Sequence, residues 1–541
     1  MVGCTPWSSD VRERALWYYE PMTQILYRDT RGLSPERLPF TEAVVRGIAP
    51  GGGLYVPESL PTMTVAEIVA WGGISYASRA ADLFRRFGVD LPAGRIGELA
   101  ATAYGSNFDD PRIAPVVTVA PGMHVLELWH GPTSAFKDMA LQCMPVFFSE
   151  AVETLHRSGK SREEYLILVA TSGDTGKAAL EGFADRPHTG IVVFYPAEGV
   201  SELQRLQMVT QRGGNVGVFG VRGNFDDCQN AVKATFADES FAARLKKERR
   251  LLLSSANSIN WGRLLPQIVY YVSAYADLVA AGSVAPGDPV DVCVPTGNFG
   301  NILGAWYAKR IGTPIDRLLC ASNENNVLTD FIASGTYDIA SRPFVKTPSP
   351  SMDILISSNL ERLLFEITGD AARVRGWIGE LAKGGRFSVG PEVRETIGAE
   401  FTGGFVTNDE SLATIRRVRN EWGYLLDPHT AVAWRVAERL RGEHPVLVAA
   451  TAHWAKFGAD VRTALLGLSY GAPLPPEDGG SGPVALLRTV SELLPGASIP
   501  PPLSGIESLP IRFSGVIDAG KGSVEAAVEG WLNALSGPDA R

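Results

Sequence analysis

The middle of the chain alternates short apolar runs with amphipathic stretches. Tyr165–Ala170 and Gly190–Tyr195 read as buried strands, with Lys177–Phe183 as the helix between them. Val290–Val294 is a further strand, followed by a glycine-rich loop and a helical pattern over Ile302–Arg310. Val446–Ala450 is a late strand that ends in a polar turn. This alternation predicts an α/β fold with a largely parallel sheet. Leu264–Ala281 is apolar but interrupted by Pro266, Gln267 and Asp277, so it reads as a core helix and not a membrane span. Toward the N-terminus, Phe40–Gly47 is helical in pattern, and Gly51-Gly52-Gly53 marks a tight turn that needs positive φ. Gly471–Ile506 is rich in proline and glycine and reads as a surface wrap or linker, not a packed element.

Composition narrows the class. The 541 residues, 45% hydrophobic and 20% charged, suffice for two or three globular domains. A net charge of −9 without a basic block argues against a nucleic-acid partner. Cys4, Cys143, Cys228, Cys293 and Cys320 are scattered and never form a C-x-x-C pair. They speak against a disulfide framework and a zinc site, and for a reducing compartment; no metal is expected. Asp10, Arg12, Glu13 and Arg14 stand where a signal peptide would be apolar, which points to a cytoplasmic protein. Trp7, Trp17, Tyr18 and Tyr19 in residues 1–22 fit a docking helix or a flexible extension.

Four segments carry candidate chemistry. His130–Gln142 reads His-Gly-Pro-Thr-Ser-Ala-Phe-Lys-Asp-Met-Ala-Leu-Gln, with Lys137 among small and aromatic residues. A lysine desolvated in this way loses its proton near neutrality and attacks carbonyls, as a Schiff-base lysine must. A surface lysine at a helix start is the alternative. In Pro295–Asn301, Gly297 and Gly300 let the backbone curl so that N–H groups face one point at a helix N-terminus. That is a phosphate cradle in physical terms, against a plain glycine turn. Ala170–Gly176 offers the hydroxyls of Thr171, Ser172 and Thr175 at another helix start. A nucleotide P-loop fails there, because Thr171 stands where glycine is needed and Ala178 where Ser or Thr would bind magnesium. Ala449–Phe457 contributes Thr451 and His453; on its own, His453 reads as a hydrogen-bonded structural residue.

These segments resemble those of threonine synthases. Asn224–Cys228, Ser255–Asn260 with Arg263, Ser349–Ile354, Ser357–Arg362 and Leu426–Thr430 extend the resemblance in order over about residues 25 to 515. It implies a tryptophan-synthase-β-like, fold type II pyridoxal-phosphate enzyme: two open, twisted, mostly parallel sheet domains with an added N-terminal domain. The implied division is an extension at 1–22, an N-terminal domain at 23–120, a catalytic region at 121–470 and a C-terminal segment at 471–541. By resemblance Lys137 carries pyridoxal 5'-phosphate, and Gly297, Asn298, Phe299, Gly300 and Asn301 hold its phosphate. Thr451 faces the pyridine nitrogen with a neutral hydroxyl, which tempers the electron sink. Thr171, Ser172, Asp174 and Thr175 line the amino-acid site. Asn257, Asn260 and Arg263 line a substrate phosphate or carboxylate pocket, with surface solvation as the alternative. The implied reaction turns O-phospho-L-homoserine and water into L-threonine and phosphate, in a monomer or homodimer with no membrane partner.

Departures from the family pattern surround these segments. Glu198-Gly199 stand where a small residue, glycine and a cation usually precede the Val200-Ser201 pair. Lys177, Pro266 and Trp454 replace small residues, alanine and proline. Lys177 is a candidate to restore the lost charge from a neighbouring loop. The departures fit a paralogue using another nucleophile as well as a drifted housekeeping enzyme; a catalytically silent binding subunit is a third reading.

Overall fold

The computed structural model describes residues 24–475, 482–494 and 497–535. Two open sheets form its frame. The larger has six strands in the order Phe401–Phe405, Ile315–Ser322, Val290–Pro295, Val446–Ala450, Met123–Glu127 and Val116–Ala120. All its neighbours are parallel except the last pair. The second has five parallel strands in the order Val516–Ile517, Val216–Val221, Thr189–Pro196, Glu164–Ala170 and Leu251–Ser254. The central strands are mostly apolar because helices cover both faces of a parallel sheet; Asp291, His124 and Glu127 are buried exceptions. Val446–Ala450, Val290–Pro295 and Met123–Glu127 are buried at every position.

The stretch expected as a core helix is the helix Trp261–Ala280, buried almost along its whole length. Pro266 sits inside it, where it removes one helix hydrogen bond; packing against neighbouring helices outweighs that loss. Tyr27, Phe87 and Tyr307 crowd the buried Trp261 ring, with centroids 5.4 to 6.1 Å away. Positive φ at Gly51 and Gly52 accounts for the glycine turn.

One expectation needs correction. The Pro/Gly-rich stretch 471–506 contains a packed helix, Pro483–Glu492, whose Val484, Leu487 and Val490 are buried. Its proline lies at the first turn, where no N–H is needed, so proline content there marks a helix start. In the loop 295–300 the left-handed residue is Phe299, at φ 62, while Gly297 and Gly300 keep ordinary backbone angles. The expectation for residues 1–22 lies outside the described residues. Among the described residues, no helix is long and apolar enough to cross a membrane.

Candidate active site

Strands of both sheets end in loops that meet around Lys137, as ligand sites in open α/β sheets do. Beyond Val446–Ala450 and Met123–Glu127 the two chains stay paired. Phe136 N–H donates to the Thr451 carbonyl at 2.8 Å, and His453 N–H donates to that of Ser134 at 3.0 Å. Thr451 is thereby fixed beside the turn that opens the helix Lys137–Leu141. Asp138 holds the turn from inside, accepting from Thr133 N at 2.8 Å and Thr133 Oγ1 at 2.7 Å.

The Lys137 amine is buried. Its Nζ donates to Ser351 Oγ at 3.1 Å and lies 3.6 Å from Asp174 Oδ2. Burial pushes its pKa down, Asp174 pulls it partly back, and the Lys456 and Arg263 charges lower it further. Asp174 starts the helix Asp174–Phe183 and is itself buried. Burial raises its pKa, but the charges of Lys456 and Lys137 outweigh that and hold it well below the usual carboxylate range. Lys456 Nζ, fully buried, sits 3.1 Å from Asp174 Oδ1 and donates to Gln207 Oε1 and the Thr133 carbonyl. Ser351 is oriented by His429: its N–H donates to His429 Nε2 at 3.1 Å, and His429 Nδ1 donates to Asp427 at 2.8 Å. Those bonds fix a neutral imidazole with its proton on Nδ1.

The loop after Val290–Pro295 runs tightly against this cluster. A Cβ on Gly297 would come within 2.9 Å of the Ser351 carbonyl, so glycine is needed there for close approach and not for its φ. Phe299 is buried and packs on Phe401 at 5.5 Å, which holds its left-handed backbone at the start of the helix Gly300–Arg310. No side chain caps that helix, so its N-terminal N–H groups suit an anion, whereas the start of the helix Asp174–Phe183 is closed by Thr171 Oγ1. Three buried donors here have no hydrogen-bond partner: Arg263 Nε, Asn301 Nδ2 and Asn359 Nδ2. Arg263 has no carboxylate partner among the described residues, and burial pulls its pKa down to about 10.

The sequence-derived residues divide. Thr171 Oγ1 accepts from Gly173 N at 3.0 Å and Gly176 N at 2.9 Å, so it shapes its loop. Ser172 is exposed and Thr175 half-buried at the same turn. Asn260 caps the helix Trp261–Ala280 through Gly262 N and donates to the Val44 carbonyl, which occupies both ends of its amide. Asn257 is exposed. Of that trio only Arg263 has a buried donor without a partner. Asn301 spends its oxygen on the Tyr270 and Tyr271 hydroxyls at 2.5 and 2.6 Å, and Asn298 accepts from Asn359 N through its carbonyl. Lys177 does not supply the charge missing near Glu198: its Nζ is bound to Glu181 at 2.7 Å and to Gln211. Ser351, His429 and Lys456 were missed as site residues, although each lies in a segment with a recognisable pattern.

Comparison with known proteins places this architecture. Three family models match: "Threonine synthase N terminus" at residues 26–104, "Pyridoxal-phosphate dependent enzyme" at 120–451 and "Threonine synthase, C-terminal" at 430–480. Threonine synthase-like 1 of Homo sapiens is 45% identical over 436 residues, 79% of this chain, and the chain spans 58% of that relative's length. Threonine synthase of Saccharomyces cerevisiae is 36% identical over 477 residues, covering 83% of this chain and 91% of the yeast protein. The crystal structure of pyridoxal-phosphate-bound threonine synthase from Brucella melitensis superposes with a TM-score of 0.81 at 38% identity, covering 94% of this chain and 99% of the other. With the matching models spread over both sheets and the relatives over most of its length, this chain belongs to the threonine synthase family of pyridoxal-phosphate-dependent enzymes.

Proposed function

We propose that the chain converts O-phospho-L-homoserine and water to L-threonine and phosphate. The observation that carries the reading is the buried Lys137 amine, held between Ser351 and Asp174 where the strand ends of both sheets meet. The donor set fits pyridoxal phosphate: an amine with lowered pKa, the uncapped N-terminus of the helix Gly300–Arg310 and unpartnered buried donors. In this reading Lys137 binds the cofactor, the backbone of 297–301 faces its phosphate and Thr451 faces its ring. When bound, the cofactor supplies an electron-withdrawing ring that stores charge drawn from the substrate.

The chain's residues supply the rest. Lys137 Nζ, as free base, takes protons from the substrate Cα and Cβ and returns one to Cγ once phosphate has left and one to Cα once water has added, which a lysine at ordinary pKa could not do at neutral pH. Asp174 and Ser351 hold Nζ in place between transfers. Arg263, unpaired and buried, attracts the phosphate that leaves Cγ. Water then adds at Cβ. The division into 23–120, 121–470 and 471–541, a monomeric or dimeric state and a cytoplasmic location belong to the same proposal. Burial of the unpaired Cys143, Cys228, Cys293 and Cys320 supports a reducing compartment.

A second reading, replacement by a nucleophile other than water, draws support from the loop after Tyr195. Glu198 is exposed with no cationic partner among the described residues, and Lys177 is committed elsewhere. Incubating the cofactor-loaded protein with O-phospho-L-homoserine, measuring phosphate and identifying the amino-acid product, tests both. Threonine with stoichiometric phosphate supports the first; phosphate without threonine favours the second. No phosphate release from a protein that retains its lysine-bound cofactor refutes both.

A further inference from the structure

Two histidines and a carboxylate meet on elements that carry none of the residues around Lys137. Glu153 and His156 lie on the helix Met144–Arg157, and His188 stands just before the strand Thr189–Pro196. His188 Nε2 is 2.9 Å from Glu153 Oε2, and the His156 ring lies 4.9 Å from the His188 ring, at 76° to it. One ligand-capable atom from each of the three residues lies within 4.8 Å of the others. Among the described residues, no other group of three His, Cys, Asp or Glu side chains does so.

The outer contacts of both rings constrain their nitrogens. His156 Nε2 is 2.9 Å from the Glu163 carbonyl, which can only accept, so Nε2 carries the proton and Nδ1 keeps a lone pair. His188 Nδ1 lies 3.1 and 3.2 Å from the two oxygens of Glu164 and Nε2 2.9 Å from Glu153 Oε2, so both nitrogens face acceptors and an ion at Nε2 would take the place of the proton shared with Glu153. Arg157 Nε donates to Glu153 Oε1 at 2.9 Å and steadies the carboxylate whose other oxygen faces the rings. Metal-binding histidines are held in this way, with one nitrogen offered and the other N–H bonded to a carboxylate or carbonyl. His188 also adopts φ 63, a left-handed conformation uncommon outside glycine, which turns its ring toward the helix.

We propose that Glu153, His156 and His188 bind a zinc-class divalent ion, with solvent completing a four-coordinate shell. Two imidazoles and one carboxylate are a donor set suited to zinc. Ligand atoms about 2 Å from one ion lie roughly 3.3 Å apart, and the Glu153–His188 pair is already close to that spacing. His156, half-buried at the helix end, closes the remaining distance by side-chain rotation. The site contains no cysteine, so the cysteine pattern gives no sign of it. Its effect is structural: the ion ties the helix that follows the Lys137 segment to the entry of the five-stranded sheet. Ser149 Oγ and the Pro187 carbonyl, 2.9 Å apart, already join the same two elements.

The test is titration of the chelator-stripped, cofactor-loaded full chain with Zn²⁺ alone, followed by calorimetry and by the thermal midpoint. One equivalent is expected to bind and to raise the midpoint. Glu153→Gln and His188→Asn, the latter chosen because asparagine tolerates the left-handed turn, should each weaken binding at least tenfold. Glu164→Gln should weaken it about 10- to 100-fold through the His188 ring alone. Turnover and the visible absorbance of the lysine-bound cofactor should stay unchanged in all three, which separates loss of the ion from loss of fold. No stoichiometric uptake by the wild type, or wild-type affinity in both Glu153→Gln and His188→Asn, overturns the site.

Discussion

Asp174 Oδ2 lies 3.6 Å from Lys137 Nζ, while Oδ1 of the same carboxylate lies 3.1 Å from Lys456 Nζ. One buried anion thus serves two buried amines, and the unpaired Arg263 guanidinium adds a third cation. The excess of positive charge favours a neutral Lys137 and a bound anion, the two conditions the proposed chemistry requires.

Replacing Asp174 with asparagine removes that anion and leaves Lys456 charged and buried. Breaking a buried ion pair from one side costs about 3–5 kcal/mol. Urea denaturation of Asp174→Asn should show a loss of that order. Stability within about 1 kcal/mol of the wild type would mean that the pair is not a structural anchor.

Lys137→Ala should abolish both turnover and the visible absorbance of the lysine-bound cofactor while leaving the far-ultraviolet circular dichroism unchanged. A covalent cofactor adduct that survives borohydride reduction in this variant would place the anchor on another lysine.

Gly297→Ala tests the close approach of two loops. The new Cβ would meet the Ser351 carbonyl at 2.9 Å and Met352 Cα at 3.2 Å, and would push Ser351 away from Lys137. Overpacking of this kind costs about 1–3 kcal/mol. A lower thermal midpoint and weaker cofactor binding are expected together; an unchanged titration would show that the loop yields without cost.

Arg263→Met separates binding from stability. The guanidinium has one hydrogen bond, to the Ala256 carbonyl at 2.9 Å, and its Nε has none. Methionine should leave the cofactor-free protein as stable as the wild type or more so. Phosphorylated substrate should bind about 10- to 100-fold more weakly, since a charged hydrogen bond contributes about 1.5–3 kcal/mol. Undiminished affinity would remove Arg263 from the anion site.

Acid sensitivity should trace partly to His453. Burial, with His130 adding to it, pulls its pKa from 6.5 down to about 3, so the folded state keeps the ring neutral. Below pH 6.5 the unfolded chain takes up this proton and the folded chain does not, so stability falls as pH drops toward 3. The slope from one such group reaches about 1.4 kcal/mol per pH unit. His453→Asn keeps an acceptor for Ala455 N and should flatten the decline, read from denaturation midpoints across that range. Parallel wild-type and variant curves would assign the acid loss to other groups.

The sequence by itself determined the local features. Apolar runs of strand length between helical patterns specified the parallel sheets, because burial on both faces demands continuous apolar strands. The small and aromatic surroundings of Lys137 specified a desolvated amine for the same reason. Tertiary structure decided which polar groups reach it. Ser351 is 214 residues from Lys137 along the chain, and nothing local in Ser349-Pro350-Ser351 announces that contact. Asn260 and Arg263 share one helical turn and look equivalent in sequence, yet the asparagine is consumed as a helix cap and the arginine is left unpaired. Glycine at 297 and 300 marked a curled loop, but only the fold shows that its left-handed residue is Phe299, where burial of the ring against Phe401 offsets the strain. Strand and helix periodicity record what each segment buries; the pairing of charges and hydrogen bonds depends on strand order, which brings residues from distant parts of the chain to one sheet edge.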